Sequence, residues 1–588
     1  MKRRGIMLGI CGMLTVLLGA LSCQLARMGL EGVVGYRSPY AFDIQPGAGT
    51  ERLTRRLVLV IIDGLGFSGV DEMPTLKDIG SRGVAFSLVV NEPSLSYPGW
   101  TTLLTGAPPE VSGVATNAYK DRVAVDSLFD SAARAGIKTV VAGDEGWKTL
   151  FGGSVMRGAY YKTDSEAASK QADDAVLEGT LKELKRGEAE LIVAHFSSVD
   201  FAGHASGARS PAYRSHAAQA DARLSKILSA LDLTSTAIVV TSDHGHTARG
   251  GHGGWEKEVI LVPFVAAGAG IVAPEEPPER IEWMSARHVD VAPTCAALLG
   301  ISVPAHSQGV VLFDALDAPE HVISERAIRQ AQARAAFGAL YCSAIRTKPP
   351  AAGRLYDAML LHNDGEYGKA AEIALQTDAE ILDTMARARQ RLVSSRRLVN
   401  APASALVLGI LALGAVLLGN VKAADMKIPA LGAASYFALF HALVFARGIT
   451  WSLSMFNKES DVIPFFLERM VDSGISGAIS AAFVGWLVYQ SGVKRPADAF
   501  FAGAAGAYLT VLVLAVQVSG FVVVQGVRFI WYIPDLHKAF KYYVDLLQIT
   551  VIGLSLLLLG VLAMGAFWTF LHLEASRRGT PAKQRVKM

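Results

Sequence analysis

The sequence predicts an α/β domain with a mostly parallel central sheet flanked by helices, followed by a C-terminal multi-helix transmembrane domain. Three observations carry that prediction. Apolar runs of strand type recur, and each ends close to a residue type that binds metals: LVLVII before Asp63, LIVAHF before Asp200 and AIVVTS before Asp243. Between Arg56 and about Ala315 such runs alternate with helical patterns, as expected where parallel strands are joined by helical crossovers. After Asn400, stretches nearly free of charge each approach the ~20 residues that a spanning helix needs.

Taken in order, residues 1–29 read as a signal anchor or signal peptide, because Lys2, Arg3 and Arg4 precede the apolar stretch from Gly5 to about Ala26. Cys23 follows Leu21-Ser22 in the manner of a lipoprotein cleavage site, but Ala20 stands where a large aliphatic residue is usual. Residues 30–55 form a linker. The domain at 56–318 is expected to hold strands near 57–62, 137–142, 190–196, 236–241 and 259–265, with helices such as 124–135 and 211–230. Residues 319–400, rich in Ala, Arg, Glu and Leu and broken at Pro349-Pro350, read as a helical stalk. The segment 401–575 supplies spans near 402–421, 429–446, 473–492, 500–524 and 549–571, and 576–588 is a basic tail. Outer loops are expected at 447–472 and 525–548. The second, with Phe529, Trp531, Tyr532, Tyr542 and Tyr543, reads as an interfacial aromatic segment at headgroup depth.

At 588 residues and 51% hydrophobic content, the chain is too long for one core and too apolar for a purely soluble protein. Short cytoplasmic loops concentrate Lys and Arg. Lys2–Arg4, Lys422 with Lys427, Lys494 with Arg495, and the tail basics Arg577, Arg578, Lys583, Arg585 and Lys587 share one side if the first stretch is retained. That assigns an integral membrane protein of the cell membrane, with residues 30–400 extracytoplasmic and the C-terminus cytoplasmic. Arg387, Arg389, Arg391, Arg396 and Arg397 run against the rule, and anionic lipid headgroups are their expected partners. A net charge of +3, spread along the chain, gives no case for nucleic-acid binding. Cys11 and Cys23 lie in the first apolar stretch, leaving only Cys295 and Cys342 elsewhere, so no disulfide framework is expected.

In an open parallel sheet, reactive groups gather beyond the carboxyl ends of the strands. Asp200 with His204, Asp243 with His244, and His252 are the residues to gather there. Six of the chain's 13 histidines fall between His195 and His252, which a metal site explains economically. His195 and His246 read as supporting groups rather than ligands. Ser96 lies in the segment Pro93–Gly106, where Pro98 suits a first helical turn and Ser96 falls just outside it. The unpaired N–H groups of such a helix start favour an alkoxide or a phosphate. A serine hydroxyl needs a base or a metal to become a nucleophile.

Together, Asp63-Gly64 after a strand, Ser96, Thr105-Gly106 before Pro109-Glu110, Asp200-x-x-x-His204, Ser242-Asp243-His244-Gly245, Gly251-His252-Gly253 and Asp290–Thr294 resemble the alkaline phosphatase superfamily. The type I phosphodiesterase/nucleotide pyrophosphatase branch is the most similar, over about 57–315. The resemblance implies two divalent metal ions, zinc or alternatively manganese. Asp200, His204 and His252 would hold one; Asp63, Asp243 and His244 would hold the other, with Ser96 beside it as nucleophile. Gly99 and Asn117 are expected at the substrate, a phosphodiester or phospholipid-type molecule. Gly99 departs from the Asn common three places after the nucleophile, and Ser112 from a common histidine. Sulfatases need Arg where Trp100 stands. The layout of one N-terminal span, an outer domain and several C-terminal spans is also similar to the glycolipid-anchor ethanolamine phosphate transferases. The resemblance therefore implies a membrane-anchored phosphodiesterase, with headgroup transfer as the enzymatic alternative and an inactive membrane scaffold as the non-enzymatic one.

Overall fold

Strands that are apolar at every position bury both faces, which suits them to the middle of a helix-covered parallel sheet. The computed structural model describes residues 2–276, 278–419, 426–457, 459–493 and 495–577. Its strands are β1 (Arg56–Ile62), β2 (Val84–Val89), β3 (Thr139–Asp144), β4 (Arg157–Tyr161), β5 (Leu191–Phe196), β6 (Thr236–Thr241), β7 (Leu261–Gly268) and β8 (Met284–Arg287). They form one sheet in the order β4-β3-β5-β1-β6-β7-β2-β8. Only β7 runs against its neighbours β6 and β2, so the sheet is mostly parallel as expected. The sequence reading passed over β2, β4 and β8. The edge strands β4 and β8 are partly exposed and lack a continuous apolar run.

Strand β1 shows how the two layers are built. Val58, Val60 and Ile62 pack on one face with Val176, Leu177, Tyr213, Leu224 and Ile227, from the helices Glu166–Arg186 and Pro211–Ser229. Leu57, Leu59 and Ile61 pack on the other with Leu103, Leu104, Cys295 and Leu298, from Ser96–Thr105 and Val291–Leu299. Each fully buried aliphatic side chain contributes about 1.5–3 kcal/mol. Ile62 pairs with Phe196 and Ile61 with Thr241, so β5, β1 and β6 finish level with one another.

Residues 319–400 are largely helical and pack against the α/β domain. The helix Glu320–Ala344 inserts Phe337, Tyr341 and Cys342 into the catalytic core. Arg334 pairs with Asp378 at 3.1 Å, both side chains 2% exposed, and also donates to the carbonyls of Ser307 and Gly309. The helix Tyr367–Gly419 runs on without a break: Ile381 and Met385 join the catalytic core, and Leu411 joins the core of the membrane bundle.

Among the described residues, six helices are long and apolar enough to cross a membrane: Gly9–Val34, Tyr367–Leu417, Lys427–Ala446, Val462–Gln490, Pro496–Gln525 and Leu536–Ser576. The helices beginning at Val462 and Leu536 absorb much of the expected outer loops. In the expected interfacial segment, Phe529, Tyr532 and Tyr542 are buried in the bundle core, with Tyr542 stacked on Phe521 at 4.2 Å. In the arginine row, Arg389 pairs with Glu110 at 2.6 Å, Arg387 with Asp383 at 2.6 Å, and Arg396 donates to the Arg528 carbonyl. Lys422, Lys494, Arg578, Lys583, Arg585 and Lys587 lie outside the described residues.

Phe337 is fully buried between Phe42, His306 and Tyr341. Phe337→Ala is expected to destabilise the protein by about 3–5 kcal/mol, seen as a lowered thermal midpoint of the detergent-purified chain.

Candidate metal centre

Because three strands end level, residues from distant parts of the chain meet. Asp63 directly follows β1, and Asp243 and His244 follow β6 after Ser242. Asp200 and His204 lie on the helix Ser198–Ser206, two residues beyond β5, where a spacing of four puts them on one face. His252 comes from the glycine-rich loop after β6.

His244 Nε2 stands 3.5 Å from Asp63 Oδ1 and 3.4 Å from Asp243 Oδ2, with Ser96 Oγ 3.4 Å away. The outward atoms of these residues are already engaged. Asp63 Oδ2 meets His195 Nε2 at 3.0 Å, Asp243 Oδ1 accepts the N–H groups of Gly64 and His244, and His244 Nδ1 faces the Gly245 carbonyl at 3.2 Å. Asp63 Oδ1 and Asp243 Oδ2 remain buried with no hydrogen-bond donor. Buried acceptors of like charge are unfavourable unless a cation compensates them.

The second group is Asp200, His204, His246 and His252, whose ligand atoms lie within 4.8 Å of one another. His252 Nδ1 faces the Ser94 carbonyl at 2.9 Å, which turns Nε2 inward, 3.2 Å from His204 Nε2. Asp200 also falls within 4.8 Å of the ligand atoms of Asp63 and His244, and so stands at the junction of the two groups. The rings of His244 and His252 stack at 3.7 Å across that junction. Seven carboxylate and imidazole residues divided between two groups suit zinc-type divalent cations, and the oxygen and nitrogen donors also admit manganese.

Electrostatics agree with the donor count. Burial raises the Asp63 carboxyl well above its usual range, and the charges of Asp243 and Asp200 push the same way. Asp200 also meets the penalty of burial, but His204, His246 and His252 outweigh it and hold the carboxyl well below its usual range. Burial, reinforced by His244 and His204, keeps His252 neutral, the form that binds metal.

Ser96 is the first residue of the helix Ser96–Thr105 rather than the residue before it, with Leu95 as its cap. The Gly99 N–H donates to the Leu95 carbonyl, and a Cβ there would lie 2.9 Å from the Asp243 Cβ. A side chain at 99 is disfavoured because the helix lies directly against Asp243. Asn117 is exposed, and its side-chain oxygen accepts the Tyr97 N–H at 3.0 Å, beside Ser96.

Sequence reasoning did not find His246 as a member of the ligand group, or Ser94 as the partner of His252. His246 Nε2 lies 2.8 Å from Asp200 Oδ1. Its ring occupies space vacated by two glycines: a Cβ on Gly64, at φ +71°, would approach Nε2 to 2.9 Å, and one on Gly203 would strike the ring. Those glycines were the available signal.

With this geometry in view, residues 57–253 match the family model described as type I phosphodiesterase/nucleotide pyrophosphatase. The matched stretch runs from β1 past β6 and ends one residue after His252. Among curated proteins, the chain is 26% identical over 281 residues to the catalytic subunit of GPI ethanolamine phosphate transferase 3 of Homo sapiens, covering 44% of this chain and 26% of that protein. It is 29% identical over 282 residues to the catalytic subunit of GPI ethanolamine phosphate transferase 2 of Homo sapiens, covering 45% and 28%. The chain thus spans about a quarter of the length of these relatives. Among solved structures, the alkaline phosphatase PafA aligns with a TM-score of 0.37 at 11% identity, covering 45% of this chain and 99% of that one.

Two measurements probe this candidate centre. Gly99→Ala is expected to destabilise the protein by about 1–3 kcal/mol and to reduce bound metal, as read by thermal melting and elemental analysis. Because the buried Asp63 carboxyl keeps its proton to unusually high pH, a cation must displace that proton. Zinc uptake is therefore expected to release protons and to strengthen as pH rises, measured by calorimetric titration in buffers of different ionisation enthalpy.

Proposed function

We propose that this protein is a membrane-integrated, metal-dependent enzyme that cleaves phosphodiesters through Ser96 and passes the phosphoryl-linked headgroup to an acceptor alcohol. The observation that carries the reading is Ser96 Oγ at a helix start, 3.4 Å from His244 Nε2 and beside two buried carboxylate oxygens that lack donors. Asp63, Asp243 and His244 would hold one cation next to Ser96, and Asp200, His204 and His252 the other, with His246 fixing Asp200. Bound there, the two ions supply positive charge for the nucleophile and for the departing oxygen.

The residues of the chain then divide the remaining work. Ser96 Oγ attacks phosphorus in line, forming an O–P bond as the bond to the leaving alcohol breaks. The proton lost by Ser96 is balanced by the one the leaving oxygen gains through solvent. Attack by an acceptor hydroxyl on the same phosphorus then frees Ser96. The Ser96 N–H and the Asn117 amide nitrogen, left over once its oxygen is bound to Tyr97, would face the phosphate oxygens. Phosphoryl transfer needs such positioning and charge neutralisation more than covalent help.

Two facts favour transfer over simple hydrolysis. The curated relatives bear the name ethanolamine phosphate transferase, and six helices are long and apolar enough to hold this domain at a membrane. A lipid headgroup such as phosphoethanolamine is therefore the proposed cargo, with water as acceptor in the hydrolytic alternative. In the proposed orientation the catalytic domain is extracytoplasmic.

Incubating the full-length protein with phosphatidylethanolamine is expected to give a phosphoethanolamine adduct on Ser96 by mass spectrometry. Ser96→Ala should lose the adduct and reduce turnover by about 10³-fold or more while retaining both metals. Absence of the adduct, with steady release of free phosphoethanolamine from a Ser96→Ala chain, would overturn the reading.

A further inference from the structure

The loop carrying His252 does not stand alone above the membrane bundle. It is seated on the segment 447–457, which joins the helices Lys427–Ala446 and Val462–Gln490. Gly254 donates its N–H to Ser454 Oγ at 3.0 Å, and Ser454 in turn donates its hydroxyl proton to Glu256 at 2.7 Å. One buried hydroxyl thus uses both its acceptor and its donor capacity on the metal-site loop. Arg249 donates to the Gly448 carbonyl at 3.2 Å. Ser452 and Ser454 are buried, and Leu453–Met455 form a single helical turn capped by Ser452.

The glycines of the site loop show how closely the two segments approach. A Cβ on Gly251 would strike the carbonyl oxygens of Ser454 and Phe456, and one on Gly254 would strike the Ser452 hydroxyl. From Ser454 the contacts continue inward. The Gly254 carbonyl accepts the Ser94 hydroxyl at 2.7 Å, Ser94 Oγ accepts the Gly253 N–H at 3.1 Å, and the Ser94 carbonyl faces His252 Nδ1 at 2.9 Å. Ser94 lies two residues before Ser96, so the same contacts reach the nucleophile. From Gly448 they continue into the bundle, where Arg447 pairs with the buried Asp472 at 2.8 Å, and Asp472 pairs with Arg469 at 2.8 Å.

We propose that the membrane-domain segment 447–457 is a working part of the metal centre, with Ser454 a positioning residue that holds the Gly251–Gly254 loop so that His252 Nε2 stays turned toward Asp200 and His204. The inference rests on the dinuclear reading above. Removing the Ser454 hydroxyl leaves the Gly254 N–H without its acceptor and frees the loop that aims His252. Groups that orient a metal-binding imidazole typically influence metal affinity by roughly 10–100-fold.

The test uses the full-length, detergent-purified protein loaded with zinc and challenged with increasing chelator, with retained zinc counted by elemental analysis and folding followed by thermal melting. Wild type is expected to retain two ions per chain to the same chelator concentration as Ser96→Ala. Ser454→Ala should melt near wild type yet give up one ion at chelator concentrations roughly 10–100-fold lower, whereas Ser454→Thr, which keeps the hydroxyl, should retain both. Equal retention by wild type and Ser454→Ala would overturn the proposal and leave the dinuclear reading intact. Loss of the ion from the threonine variant as readily as from the alanine variant would overturn the role of the hydroxyl. A wild-type chain that retains no zinc would instead overturn the dinuclear reading itself.

Discussion

The level carboxyl ends of β5, β1 and β6 are the constraint on which the site depends. They bring Asp200, Asp63 and Asp243 together where little water reaches, and three carboxylates cannot share such a place as bare charges. The surroundings answer this in two ways. Imidazoles from His204, His246 and His252 crowd around Asp200, while Asp63 and Asp243 each turn one oxygen to a protein donor and leave the other toward His244. The arrangement is incomplete as a hydrogen-bonded network but well matched to cations.

The catalytic and membrane parts are joined over much of their facing surfaces rather than through a tether. Arg334 with Asp378 fixes the helix Glu320–Ala344 to the long helix, Arg389 with Glu110 ties that helix to the segment after Ser96, and Arg249 meets Gly448. Most of these ties use arginine, whose planar, permanently charged head can serve several acceptors at once. Ile381 and Met385 of the long helix are themselves part of the α/β core, so these contacts complete that core as well as fix position.

Much of this was legible in the sequence because its clearest signals coincide with the centre of the molecule. The interior strands β1, β5 and β6 are mostly apolar and almost wholly buried, and Asp63, Asp200 and Asp243 follow them. Legibility fell away where structure depends on contacts between distant segments. Strands β4 and β8 are edges whose half-exposed residues have no period to detect. His246 differs from His244 only by standing two places later, and its inclusion depends on room left by Gly64 and Gly203. The contact between Ser454 and Gly254 spans 200 positions and involves a serine in a loop, with no pattern to mark it. The packing of Phe529, Tyr532 and Tyr542 into the bundle was likewise not legible, because amphipathic rings suit a lipid interface and a protein interface equally well.

The unbroken helix Tyr367–Gly419 has one more implication. With 53 residues at ~1.5 Å each, it is a strut of about 80 Å shared by both cores. Because one rod runs from one core into the other, with only Pro402 removing a donor from its hydrogen-bond ladder, a displacement of either body along its axis is passed directly to the other.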